Sequence, residues 1–208
     1  MKEVQLIEEA IRSTNEDGIR QMLEQFLRAN TVVRDEKFDL SRFVCKDEMR
    51  GSALTGILHE KGLKVATDGS ILVAIYSHYK SEFEGKVITP KGKIVEGTFP
   101  NWKSVLPSQE SLKTVRLSSL IADALRKIKH AETIAKIDSR KVFVSISCDN
   151  EKMYFRSDYF TKFLTFIRTY PGASMSVKQN NCLYASNNNN LCLLMTFSTD
   201  NDCVVVDL

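Results

Sequence analysis

At 208 residues, 43% of them hydrophobic and 26% charged, the chain is long enough to bury a core, and its composition is neither disordered nor fibrous. Its 29 Lys and Arg against 26 Asp and Glu leave a net charge of +3. That total excludes an argument for nucleic-acid binding from charge alone, which needs the cations sorted onto one face.

The first thirty residues read as a helical hairpin. Val4, Ile7 and Ile11 recur at helical spacing, as do Ile19, Met22, Leu23, Phe26 and Leu27, and Ser13 with Glu16 fits a capping box between the two runs. The stretch opening at Met1 contains acids and lacks the apolar segment of a secretory signal. From residue 40 to 95 the pattern changes to strands. A hairpin is expected near Gly62. The runs 63–66 and 71–76 flank Thr67-Asp68-Gly69-Ser70, where glycine accepts the positive φ of a tight turn. Pro90-Lys91-Gly92 marks another turn between 87–89 and 94–95.

Pro100 and Pro107 cannot donate to a strand ladder, so 99–107 reads as a rigid connector. Beyond it, Ser118 is placed to cap a helix whose apolar face is Ile121, Ala124, Leu125 and Ile128. Residues 141–147 alternate as a strand with Val142, Val144 and Ile146 on one face, and 153–155 form another. Ser157 is expected to cap a second helix, with Phe160, Phe163, Leu164 and Ile167 inward, stopped by Pro171-Gly172. Strands follow at 175–177, 182–185, 191–197 and 203–206, with Asn187 to Asn190 as a hairpin loop. The sum is an α+β chain, helices lying on antiparallel sheet. Two similar strand–helix–strands units after Pro107 hint at an internal duplication.

The five cysteines, Cys45, Cys148, Cys182, Cys192 and Cys203, are widely spaced without C-x-x-C, which points away from structural zinc and towards reduced cytoplasmic thiols. No apolar run approaches the roughly 18 residues of a membrane helix, so a soluble protein without membrane contact is expected. His59, His78 and His130 fall in unrelated segments. His59 and Asp68 are close enough in sequence to meet across a hairpin, yet no nucleophile motif, phosphate loop or H-E-x-x-H accompanies them. The reading is a protein without catalytic residues, cofactor or metal, in which Asp68 serves its turn.

Four segments resemble the bacterial DNA polymerase III beta subunit, the sliding clamp. Ala53-Leu54-Thr55-Gly56-Ile57-Leu58-His59-Glu60 with Leu63-Lys64-Val65-Ala66-Thr67-Asp68-Gly69 is similar to the family's middle domain. Gly97-Thr98-Phe99-Pro100-Asn101-Trp102, continuing to Val105-Leu106-Pro107, looks like the segment joining the middle and last domains. Phe155-Arg156-Ser157-Asp158-Tyr159-Phe160 resembles a helix start in the last domain, and Leu193-Leu194-Met195 the family's C-terminal strand. The match runs over roughly residues 40–197 and leaves out the family's first domain. It implies a DNA-clamp-like fold divided into an N-terminal helical extension (1–36), a partial middle-type domain (37–107) and a last-type domain (108–208).

The resemblance also implies a non-enzymatic role in DNA replication or repair, with two working surfaces. One is an apolar pocket for short hydrophobic peptides of polymerases or repair proteins. By position it takes Leu54, then Thr67, Gly69, Ser70, Ile71 and Leu72 from the turn, Pro100 and Val105 from the connector, and Leu193 and Met195 from the last strand. The competing reading is that these residues only pack two half-domains together. Ser70, Ile71, Ser104 and Thr196 depart from the family's usual residues, so peptide preference is expected to differ. The other surface is a helical face for double-stranded DNA without sequence preference, drawing on Arg126, Lys127, Lys129 and Lys136, with Lys162 and Arg168 from the second helix. Cations near a helix C-terminus also favour the helix dipole on their own account. A chain this short needs self-assembly to encircle DNA, so a homo-oligomer is one expectation. The alternative is a clamp-fold adaptor or decoy that binds peptides without a ring.

Overall fold

A computed structural model describes residues 38–208 apart from 78, 116–120, 150, 171, 179–180, 188 and 200–201. The expected N-terminal hairpin, the Ser118 cap and the Pro171 stop lie outside the described residues.

The first strands are β1 (Ile57–Glu60), β2 (Leu63–Thr67) and β3 (Ile71–Tyr76), then the short β4 (Val87–Ile88) and β5 (Ile94–Val95). After the connector come β6 (Lys113–Thr114), the helix α1 (Ile121–Ile137), β7 (Lys141–Cys148), β8 (Glu151–Arg156) and the helix α2 (Ser157–Thr169). The chain finishes with β9 (Ser174–Lys178), β10 (Cys182–Asn187), β11 (Asn190–Met195) and β12 (Cys203–Asp207). Nine strands form one sheet in the order β5-β4-β1-β2-β3-β11-β10-β9-β6, and three form another in the order β12-β7-β8. The larger sheet runs without a break from the segment before the connector into the segment after it, because β3 pairs β11 with Leu72 opposite Leu193.

The two-residue period of a strand explains how that sheet serves two cores. On β3, Ile71, Val73 and Ile75 join the main core, while Leu72 and Ala74 point to the other face. On β11, Cys192 and Leu194 face the main core and Leu193 the other side. The main core is closed by α2, whose Phe160, Phe163, Leu164 and Phe166 are fully buried, and by Ala124 and Ile128 of α1. On the opposite face Trp102 of the connector covers Val65, Leu72, Ala74 and Leu193 in a smaller core. β3 is buried over its first five residues because both faces are covered.

Three local expectations change in the structure. β12 runs parallel to β7, so the sheets are not uniformly antiparallel. β7 is buried from Val142 to Ile146 on both faces rather than one. Ser157 is the first residue of α2 rather than its cap, and its hydroxyl donates to Glu132 Oε1 of α1 at 2.6 Å. The helix-capping role is given up for a bond that ties the two helices together.

Candidate functional site

The turn between β2 and β3 is held by its own side chains. Asp68 Oδ1 accepts the backbone N–H of Ser70 at 3.0 Å and of Ile71 at 3.2 Å. Thr67 Oγ1 donates to the Ile71 carbonyl at 2.8 Å and accepts from Gly69 N–H at 3.0 Å. Gly69 sits at φ +90°, a region that favours glycine. Asp68 therefore serves the turn, as its sequence position suggested. His59 has other partners: its Nδ1 lies 3.1 Å from the Ile57 carbonyl, and its ring meets Tyr79 edge-on at 4.9 Å. Since a carbonyl only accepts, Nδ1 carries the proton.

Three distant segments converge beside that turn. Met195 N–H donates to the Ser70 carbonyl at 3.0 Å, which fastens the end of β11 to it. The single-turn helix Trp102–Val105 lies over the same face. Trp102 is anchored by its Nε1–H, which donates to Glu60 Oε2 at 3.1 Å, while Lys103 Nζ donates to Glu60 Oε1 at 3.1 Å. Burial pushes the Glu60 carboxyl up, but these two bonds prevail and hold it below its ordinary value.

Between the segments lies a cleft of about 210 Å³. Leu54, Thr67, Gly69, Ser70, Ile71 and Leu72 line it together with Pro100, Val105, Leu193 and Met195. Every residue assigned to the peptide pocket from sequence thus lines one cavity. Asn101 and Trp102 line it too. Trp102 lies inside the connector, where a large aromatic between Pro100 and Pro107 is the available signal. Leu72 and Leu193 form a buried floor, while Val105 at the rim is 52% exposed. The cleft is smaller than small-molecule sites of about 300–1,000 Å³ and suits one or two apolar side chains.

The basic residues assigned to DNA are distributed differently. Arg126, Lys127, Lys129 and Lys136 are exposed on α1, Arg126 being paired with Asp123 at 3.0 Å, and Arg168 is exposed on α2. Lys162 is half-buried, its ammonium 4.9 Å from the centre of the Tyr159 ring and 5.8 Å from that of Phe43. It faces a second recess of about 440 Å³, on the Asp68 side of the turn.

No group of three or more His, Cys, Asp or Glu among the described residues is arranged to hold a metal ion. All five thiols are free, and no helix among the described residues is long and apolar enough to cross a membrane.

Solved structures similar to this chain include bacterial sliding clamps. The DNA polymerase III subunit β of Bartonella birtlesii, described bound to griselimycin, matches with a TM-score of 0.58 over 76% of this chain and 61% of that one, at 16% identity. The Caulobacter crescentus clamp matches at 0.59 over 77% and 62%, with 14% identity. That of Pseudomonas aeruginosa matches at 0.54 over 76% and 64%, also with 14% identity. The chain thus spans about three-fifths of the length of the clamps it matches. No family model matches the sequence, and no curated protein matches it. The chain has a sliding-clamp-like fold.

Proposed function

We propose that this chain is a non-enzymatic, clamp-fold binding protein of DNA replication or repair, whose cleft receives short hydrophobic peptides from replication proteins. The observation that carries this reading is the convergence of Leu54, Leu72, Val105, Leu193 and Met195, from four separate segments, on one small apolar cavity. Such a cavity binds by desolvating one or two large side chains, and methionine at its rim adapts to different ones. Low identity to the solved clamps goes with a peptide preference of its own.

Titrating a labelled peptide bearing two adjacent large apolar residues tests the reading by fluorescence anisotropy. Saturable micromolar binding, weakened at least about tenfold by Val105→Glu, supports it. Val105 is exposed, so this variant keeps its core. Binding no tighter than millimolar would overturn the reading.

Contact with double-stranded DNA is the second reading, favoured by exposed Lys127, Lys129 and Lys136 along one helix. Encircling DNA would take several copies. β5 and β6 at the ends of the large sheet, and β12 at the end of the small one, have a neighbour on one side only among the described residues. Light scattering separates the ring from the adaptor: a strict monomer without salt-sensitive DNA affinity leaves only the adaptor. The free thiols suit work in the reducing cytoplasm.

A further inference from the structure

The cleft and the second recess flank one turn: Gly69 and Ser70 line the first, Asp68 the second. The two differ in chemistry. The recess gathers the cations Arg42, Lys46, Arg50 and Lys162 with the carboxylates Asp47, Asp68 and Asp158.

Four cations face three carboxylates there, and one of the three, Asp158, is already paired with Arg156, so the recess keeps an excess of positive charge. Asp68 holds the turn through two backbone N–H groups. Asp158 receives both Nε and Nη2 of Arg156, at 3.1 and 2.8 Å. Asp47 accepts the Met49 N–H at 3.0 Å. None of the four cations forms an ion pair among the described residues. Burial lowers the affinity of Lys162 for a proton; Asp68 and Asp158 oppose that, and Arg42 and Lys46 add to it. An excess of cations, none within ion-pair distance of a described carboxylate, favours an incoming anion.

We infer that this recess receives acidic side chains of the same peptide whose apolar residues fill the cleft, so that the partner segment is acidic beside its hydrophobic anchor. The inference rests on the peptide reading above. One segment passing over the exposed Gly69 reaches both sides of the turn, apolar residues dropping on one side and carboxylates on the other. Arg42, Lys46 and Arg50 are exposed and supply steering, and half-buried Lys162 between its two rings supplies the less screened contact.

Anisotropy titration of two labelled peptides tests this. Both carry the same apolar pair; one has two aspartates within four residues of it, the other asparagines there. The expected result is about tenfold tighter binding of the aspartate peptide at low salt, shrinking as salt rises. The combined exposed-site variant Arg42→Ser, Lys46→Ser, Arg50→Ser is expected to reduce the aspartate peptide to its twin's affinity and leave the twin unchanged. Equal binding of both peptides to the unmodified protein would overturn the inference while the cleft reading stands. Failure of both to saturate would overturn the cleft reading as well. Discrimination that survives in the triple variant would also overturn the assignment to this recess.

Discussion

The backbone N–H of Met195 donates to the carbonyl oxygen of Ser70 across 3.0 Å. That bond continues the β3–β11 ladder by one step beyond the Ile71–Leu194 pair and so joins the last strand of the large sheet to the turn at the mouth of the cleft. The cleft depends on this join, since Leu193 and Met195 line it with the turn residues.

The turn is therefore the first place to test. Asp68→Ala removes the acceptor of two backbone N–H groups and is expected to lower stability by about 1–2 kcal/mol. Gly69→Ala meets no atom within 4 Å at its new Cβ, so its effect is conformational, about 1 kcal/mol. Urea midpoints of the two variants check this, and midpoints equal to the parent's would contradict it.

His59 makes stability depend on pH. Burial lowers its affinity for a proton, and Lys64 adds to that, against weaker opposition from Glu84 and from backbone bonds at Ile57 and Lys86. With a folded value below the unfolded value of about 6.5, the unfolded chain binds the extra proton between them. The stabilisation is full above that unfolded value and is lost as pH falls towards the lowered folded value. The urea midpoint is expected to drop as pH falls through and below about 6.5, and His59→Phe to flatten this part of the slope. An unchanged drop in the variant would remove His59 as its cause.

The interhelical bond from Ser157 to Glu132 predicts a modest effect beside a large one. Ser157→Ala leaves the Glu132 carboxylate without that donor and is expected to lower stability by about 1 kcal/mol. Phe163→Ala empties a fully buried site among Phe160 and its neighbours, for an expected loss of about 3–5 kcal/mol. Thermal or urea unfolding distinguishes the two, and a Phe163 variant no worse than the Ser157 variant would contradict the assignment of the core.

Much of the cleft was legible in the sequence because its parts carry local signatures. Thr67-Asp68-Gly69 announces a turn whose side chains bond their own backbone, and Phe99-Pro100 with Pro107 announces a segment that no ladder absorbs. The strands around them follow from apolar runs between breakers. The direction of β12 was not legible, since alternation in Val204 to Val206 is the same for parallel and antiparallel neighbours. Ser157 was misplaced by one position because a serine beside an acid suits a cap and a first turn alike, and only the approach of Glu132 decides. The cationic recess was hidden for another reason. Arg42, Lys46, Arg50 and Lys162 share no periodicity, and their gathering into one recess, like the pairing of Asp158 with Arg156, appears only in three dimensions.

Trp102 is the only tryptophan in the chain, 6% exposed, and it lines the cleft. Its emission during titration with an unlabelled apolar peptide is the most direct test of the central claim. A saturable shift in intensity or wavelength, abolished by Val105→Glu and retained at the same peptide concentrations in the Arg42→Ser, Lys46→Ser, Arg50→Ser variant, is the predicted result. Emission that stays flat up to millimolar peptide, or shifts equally in the Val105→Glu variant, would contradict the proposal that this cleft is a peptide site.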